Sequence, residues 1–259
     1  MTDVNKAAEL LIAARRDNRV IDALPDDAAP QTLAESYAIQ DAIIAGIGLP
    51  LAGWKVALTN DQAKAMVGAS EPAAGPLFTP HILPSPDAIA DPPAVIAGFE
   101  CEFAVCLGAD IPASGAPYTA DSVRGAIDSL HPAIEVVGLR IGNRPELGVN
   151  GIVADHAGNN RLVYGDAVAD WQSLDLPSCA VRHLVDDEEA AASSGANVLG
   201  NPLNALAWLA NHLAGRGYEM KAGEWITTGA ATGPLPAPPG STVTADFGDL
   251  GKVVVKFGT

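Results

Sequence analysis

Phe99-Glu100-Cys101-Glu102-Phe103-Ala104-Val105 alternates apolar and acidic side chains over its first five residues. In a β-strand, successive side chains point to opposite faces. Phe99, Cys101, Phe103 and Val105 then share an apolar face directed into a core, and Glu100 and Glu102 point together the other way. For an isolated pair of like charges the plain reading is a solvated strand face. A second run, Ala133-Ile134-Glu135-Val136-Val137, changes the weighing, because its apolar neighbours call for full burial. A buried, unpaired carboxylate costs several kcal/mol or more, so it needs a cation or a proton. Either Glu135 forms an ion pair, with Arg140 or Lys55, or Glu100, Glu102 and Glu135 converge on one hard cation. All-oxygen ligation suits Mg²⁺ or Mn²⁺ rather than zinc. Lys55, inside Gly53-Trp54-Lys55-Val56-Ala57-Leu58-Thr59, either snorkels at a strand end or faces the carboxylates. In the second case it would hold an anionic substrate or move a proton.

Outward from these segments, strand-like runs fall at Trp54–Leu58, Phe99–Leu107, Ile134–Ile141, Arg161–Tyr164, Trp225–Thr228, Thr242–Phe247 and Val253–Phe257. Helices are expected over 4–16 and 31–46, the second with Thr32 as N-cap and Glu35 three residues on. Two more are expected: 121–130, with Val123, Ile127 and Leu130 on one face and Pro132 as the stop, and 203–214 behind Pro202. The four prolines of Leu83–Pro93 predict a loop. The layout is an α+β fold, a small helical part over 1–52 and a β-rich body over 53–259.

The 259 residues carry a formal net charge of −16, which repels phosphate backbones and anionic lipid and argues against nucleic-acid or membrane binding. An anionic substrate therefore needs local positive charge at its site. Cys101, Cys106 and Cys179 form no CxxC pair, so neither a disulfide framework nor a zinc site is expected. Residues 1–19 hold no apolar signal core, and the most apolar stretch, 42–54, is broken by glycines and Pro50. These features predict a cytoplasmic location.

Several segments occur together and in order: Gly53–Asn60 (GWKVALTN), the Glu100/Glu102 strand, His131–Ile141 (HPAIEVVGLRI) and Val153–Ala157 (VADHA). They continue with Gly200–Ala210 (GNPLNALAWLA), Lys221–Gly229 (KAGEWITTG) and Ala245–Gly251 (ADFGDLG). With them the chain resembles the 2-keto-4-pentenoate hydratase / 4-oxalocrotonate decarboxylase group of the fumarylacetoacetate hydrolase superfamily, from about residue 30 onward. The resemblance implies a mixed β-sandwich roll with an N-terminal helical cap, and at least a homodimer. It implies Mg²⁺ or Mn²⁺ on Glu100, Glu102 and Glu135, with Lys55 at the catalytic centre. By motif position it assigns Gln62, Arg140, His156 and Thr228 to substrate binding, with Gln40 near the pocket. The substrate class it implies is a small 2-oxo acid chelating the metal through its carboxylate and 2-oxo oxygens, so that an enolate is stabilised.

Three departures bear on the activity. Ala73, in Glu71-Pro72-Ala73-Ala74-Gly75, stands where many hydratases of the group carry an acid, and decarboxylase-type members also lack one. His156 and Gly158, in Asp155-His156-Ala157-Gly158, replace the usual Asn and Ser, and His156 is either a new acid/base or a packed polar residue. Asn201 replaces a usual histidine. The N-terminal part holds no histidine for the His–Glu lid of the hydrolase branch. The leading expectation is a hydro-lyase acting on a 2-hydroxypenta-2,4-dienoate-like substrate in aromatic or related catabolism. The alternatives are a decarboxylase of a 4-oxalocrotonate-like diacid, a C–C hydrolase of the superfamily, and a non-catalytic 2-oxo-acid-binding or partner subunit.

Overall fold

The computed structural model describes residues 2–89, 96–142 and 144–258. Two helices open the chain, α1 (Val4–Arg16) and α2 (Leu33–Gly46). The Asp3 carboxylate caps α1 at the Lys6 amide, and the Thr32 hydroxyl caps α2 at the Glu35 amide. The Glu35 carboxylate reaches back to the Gln31 amide at 2.8 Å, one residue before the position a capping box would use. Their apolar faces close on one another through Ala7, Ala8, Leu11, Ile39 and Ile43, and on Ile141 and Ala154 of the body.

The body begins with β1 (Leu51–Ala57), α3 (Asp61–Val67) and β2 (Ala73–Phe78). Then come β3 (Ile82–Pro84), β4 (Asp87–Ile89), β5 (Ile96–Leu107), α4 (Ala120–Arg124), β6 (Ile127–Gly138), α5 (Arg144–Ala154) and β7 (Asn159–Tyr164). The chain ends with β8 (Ala180–Val185), β9 (Glu188–Ser194), α6 (Pro202–Gly215), β10 (Trp225–Leu235), β11 (Thr242–Asp246) and β12 (Lys252–Phe257). A seven-stranded mixed sheet in the order β2-β1-β10-β5-β6-β7-β3 faces a five-stranded sheet in the order β4-β12-β11-β8-β9. Between them lies the main core. Phe99, Cys101, Phe103, Val105, Ile134 and Val136 meet Val181, Val243, Val253 and Val255. Phe99 against Phe257 and Phe103 against Phe247 make edge contacts, with ring centroids 5.6 and 5.1 Å apart. The apolar face read from the sequence of β5 is therefore the face between the sheets. No described helix is long and apolar enough to cross a membrane.

The helix expected over 121–130 is not formed as such. Thr119 and Ser122 make a reciprocal capping box for a helix that stops at Arg124. Ile127 and Leu130 then enter β6, and Pro132 sits inside that strand opposite Phe103. The apolar spacing that resembles a helical stripe reflects a strand covered on both faces, a case in which periodicity cannot separate the two. The expected loop 83–93 contains two short strands. Ile82–Pro84 pairs in parallel with β7, and Asp87–Ile89 pairs in parallel with β12. Residues 90–93 of that stretch lie outside the described residues. The strand expected over 134–141 ends at Gly138. Strands β2, β8 and β9 and helices α3 and α5 carry patterns too short or too small-residue-rich to register from sequence.

Candidate active site: a buried carboxylate cluster beside a lysine

On the face of the large sheet turned away from the sandwich core, Glu100 of β5 stands directly across from Glu135 of β6, and Glu102 lies opposite Ala133. Ligand oxygens of Glu100, Glu102 and Glu135 all lie within 4.8 Å of one another. Glu102 and Glu135 are fully buried, and Glu100 reaches a cavity. Lys55 of β1 is also buried, and its Nζ lies 2.5 Å from Glu135 Oε2. Of the two ion-pair partners open for Glu135 from the sequence, the structure selects Lys55.

The surrounding backbone and amides hold these groups in place. Lys55 Nζ donates to the Ala157 carbonyl at 3.1 Å. Asn159 Nδ2 donates to Glu135 Oε1 at 2.9 Å. The pairing of β10 with β5 shifts register on both sides of Ala230, and next to that irregularity the Gly229 amide donates to Glu102 Oε2 at 2.8 Å. Gly229 has φ +109, and a Cβ there would sit 2.4 Å from the Thr59 side chain, so glycine is required on both counts. Glu102 Oε1 is buried and meets no hydrogen-bond donor among the described residues.

The electrostatics follow from this packing. Burial pushes the Glu100 carboxyl up to about 7, against the pull of Lys55 and with the push of Glu135. Burial, then Glu135 and Glu100, drive Glu102 well above the carboxylate range. Burial would depress Lys55, but Glu135, Glu100 and Glu102 more than offset it, so its ammonium is held above the usual lysine value. Three carboxylates thus face one ammonium, and the cluster lacks positive charge. A divalent cation fits that deficit and the all-oxygen donor set. The three carboxylates, with oxygens all within 4.8 Å of one another, are close enough together to serve one such ion.

Behind the cluster, Asp155–Asn159 forms a tight 3-10 turn. His156, Ala157 and Gly158 have φ of 58, 52 and 78, an unusual run of left-handed residues. A Cβ on Gly75 would come within 2.3 Å of the His156 carbonyl, so β2 needs glycine to pass beneath the turn. Arg140 secures the turn through Asp155 (NH1 to Oδ1, 2.8 Å) and the Asn159 carbonyl (2.6 Å). Arg15, reaching in from α1, meets His156 Nδ1 at 3.0 Å and the Asn159 carbonyl at 3.3 Å. Burial, with Arg15 and Arg140 beside it, holds the His156 ring well below the usual histidine value. His156 is packed and neutral in this scaffold, and Phe78 lies 5.7 Å from its ring.

A cavity of about 170 Å³ opens from Lys55 and Glu100 and is lined further by Ala57–Asn60, part of α3, Leu139, Ile152, Ala157, Gly158 and Pro234. Among the residues assigned to substrate by motif position, His156 is packed within the turn and Arg140 braces it, and neither is part of this lining. The Thr228 hydroxyl donates to the Phe103 carbonyl at 2.9 Å, and Gln62 lies on an adjoining cleft with Asn197 and Leu199 that shares Thr59 and Asn60 with this cavity. Gln40 joins α2 to Ala74 and Val153 through their carbonyls. Asn201 caps α6 at the Leu203 amide. Thr59 went unnoticed in the sequence. It lines the cavity, and its hydroxyl is buried without a partner. Leu58, with φ +59, turns the chain there at the end of β1. The motif Gly53–Asn60 contained the residue, but a lone threonine carries no signal without the turn.

Residues 61–257 match the family model for the fumarylacetoacetate hydrolase C-terminal region. The chain belongs to the fumarylacetoacetate hydrolase family. It is 32% identical over 97% of its length to 2-keto-4-pentenoate hydratase 1 of Dechloromonas aromatica (strain RCB), covering 95% of that protein. It is 29% identical to a 4-oxalocrotonate decarboxylase of Pseudomonas putida, with 98% of each chain covered. Among solved structures, 4-oxalocrotonate decarboxylase from Pseudomonas putida G7, complexed with magnesium and adipate, superposes with a TM-score of 0.90 at 30% identity, over 98% of this chain and 97% of that one.

Proposed function

We propose that this protein is a metal-dependent hydro-lyase that adds water to a 2-oxo-alkenoate of the 2-hydroxypenta-2,4-dienoate type. The observation that carries the reading is the charge-deficient cluster of Glu100, Glu102 and Glu135 beside Lys55 at the end of a small cavity. The hydratase names among relatives about 30% identical over nearly the full chain support it, as does the magnesium held by the decarboxylase of similar fold. Glu100, Glu102 and Glu135 hold the cation, Mg²⁺ or Mn²⁺, and when bound it supplies a Lewis acid for the carboxylate and 2-oxo oxygens of the substrate.

The chain's own residues do the rest. Lys55, kept charged by its carboxylate neighbours, adds a fixed cation facing the anionic end of the substrate, which meets the need for positive charge in a protein of net charge −16. The Ala157 carbonyl and Glu135 fix the direction of its Nζ. The Thr59 hydroxyl offers a hydrogen bond inside the cavity to the substrate or to the attacking water. In the reaction the 2-enol loses its proton and a proton is placed on C5, giving the 3-en-2-one. Water then delivers hydroxide to C4 and a proton to C3, so the product is the 4-hydroxy-2-oxo acid.

A second reading, decarboxylation of a vinylogous 2-oxo diacid, is favoured by one feature. Ala73 is buried on β2 where an acid was expected for hydration, and Glu71 beside it is exposed. Turnover of 2-hydroxypenta-2,4-dienoate and of 2-oxohex-3-enedioate, each with Mg²⁺ and with products followed by NMR, separates the two. Hydration of the dienoate is expected, and release of CO₂ from the diacid alone would replace the leading reading with the second. Lys55→Met is expected to lower turnover roughly 10²–10⁴-fold. A cytoplasmic homo-oligomer belongs to the same proposal, and light scattering on the purified protein tests the assembly.

A further inference from the structure

The cavity is charged at one end alone. Among its described lining residues, Lys55 and Glu100 are the charged ones, and both belong to the carboxylate cluster. Asn60 uses its side-chain oxygen to cap α3 at the Ala63 amide, so the uncharged polar side-chain groups left to meet a ligand are the Asn60 amide nitrogen and the Thr59 hydroxyl. The remaining wall is carbon, including Met66 and Val67 of α3, Leu139, Ile152 of α5 and Pro234 of β10. Helix α3 buries none of its residues, and Met66 is 77% exposed on the cavity rim. Such a methionine gives an adaptable apolar surface with nothing yet packed on it. The wall does not stop there. Val67 also borders a wider crevice of about 580 Å³, where Leu24, Pro30 and Val149 stand beside Asp26, Gln31 and Asn150 and no described lining side chain is cationic. Nearby cations are engaged elsewhere: Lys64 with Asp61, Arg140 with Asp155, and Arg15 with His156 and the Asn159 carbonyl.

We propose that the substrate is a monocarboxylic 2-oxo acid or its dienol, whose end remote from the carboxylate is an uncharged alkyl or aryl group lying under α3 against Met66, Val67, Leu139 and Ile152. The inference rests on the hydro-lyase reading and specifies its substrate. A second carboxylate in that position would lose its hydration with no described cation to replace it, inside a protein already carrying −16. An alkyl tail would bury its methylenes against carbon, and each is worth about a three- to fourfold gain in affinity.

The test uses the full-length protein saturated with Mg²⁺. Calorimetry measures binding of the saturated acids 2-oxobutanoate, 2-oxohexanoate, 2-oxooctanoate and 2-oxoadipate. Turnover is measured in parallel on 2-hydroxypenta-2,4-dienoate and 2-hydroxyocta-2,4-dienoate, and on 2-oxohex-3-enedioate. Affinity is expected to climb from 2-oxobutanoate to 2-oxohexanoate, with 2-oxoadipate bound at least tenfold more weakly than 2-oxohexanoate. Met66→Lys, a change at an exposed position, is expected to narrow that gap by improving the diacid. Affinity that is flat with chain length, or 2-oxoadipate bound as tightly as 2-oxohexanoate, overturns the proposal. Turnover confined to the diacid also overturns it. A rising affinity series with no turnover of any dienoate would instead sustain the apolar tail and defeat the hydro-lyase reading, so the two failures are told apart.

Discussion

Two buried clusters of charge meet at the turn 155–159, and they are balanced in opposite ways. In the first, Glu100, Glu102 and Glu135 face Lys55, the one cation paired with them among the described residues; fully ionised they would leave an excess of two negative charges, and burial accordingly raises Glu100 and Glu102 toward their protonated forms. In the second, Arg15 and Arg140 face Asp155, and the extra positive charge is absorbed by the Gly138, Asn159 and Asn160 carbonyls and by a neutral His156. The two are joined covalently. Ala157 offers its carbonyl to Lys55 and Asn159 its amide to Glu135, while the Asn159 carbonyl accepts from both arginines. Burying charge is costly unless it is paired. The paired cluster is thus a scaffold, and the unpaired one is a place prepared for something that brings positive charge.

If that division is right, substitutions in the two clusters fail differently. The largest effect is expected from Glu102→Gln or Glu135→Gln, which should weaken Mg²⁺ binding by more than the roughly 10–100-fold typical of residues that merely support ligands. For Glu102→Gln the folded state should survive, because a carboxylate is removed from an overcrowded set while Lys55 keeps Glu135. Calorimetric Mg²⁺ affinity for Glu102→Gln equal to that of the parent protein would abolish the contrast. Next comes Arg140→Ala. It should destabilise the fold by about 3–5 kcal/mol, since Asp155 is left buried and unpaired. Circular dichroism melting reads the loss, and an unchanged melt would show that the second cluster is no scaffold.

A smaller shift should come from the ion itself. Mg²⁺ at about 100 times its dissociation constant should add about 2.7 kcal/mol to the stability of the parent protein and nothing to that of Glu102→Gln. Scanning calorimetry with and without chelator measures it. A last effect lies outside both clusters and serves as a baseline for pH work. Burial lowers His183 to about 4, and burial with Arg216 lowers His212 to about 4, from 6.5. The unfolded chain binds protons there that the folded chain refuses, so this contribution is complete above about pH 6.5 and is lost as pH falls toward 4. Melting temperature against pH should show that decline, and His212→Gln should flatten part of it.

Much of the contrast was legible before the fold was known, and its limits are specific. The alternation of Phe99–Val105 placed Glu100 and Glu102 on one face, because strand geometry fixes that from the sequence alone. The apolar run around Glu135 announced a buried charge for the same local reason. Neither could reveal that Glu100 stands across from Glu135, since the register between β5 and β6 is set by the whole ladder. The choice of Lys55 over Arg140 as partner, and the packing of His156 within the turn that Arg140 braces, depended on contacts between residues about a hundred positions apart or on the left-handed turn itself. The short strands β3 and β4 and the stretch of β6 mistaken for helix were hidden because their patterning is decided by neighbouring strands.

By itself the sequence determined the local facts of this protein: which side chains share a strand face, where α1, α2 and α6 begin, and that a carboxylate would be buried. Those follow from backbone periodicity and capping, which act over a few residues. Only the tertiary structure settled which charges are paired and which are left in excess, that the Thr59 hydroxyl is buried beside the cavity, and that carbon walls the far end of that cavity. Those outcomes depend on distance and desolvation between segments remote in the chain, quantities fixed only when the two sheets and the turn 155–159 come together.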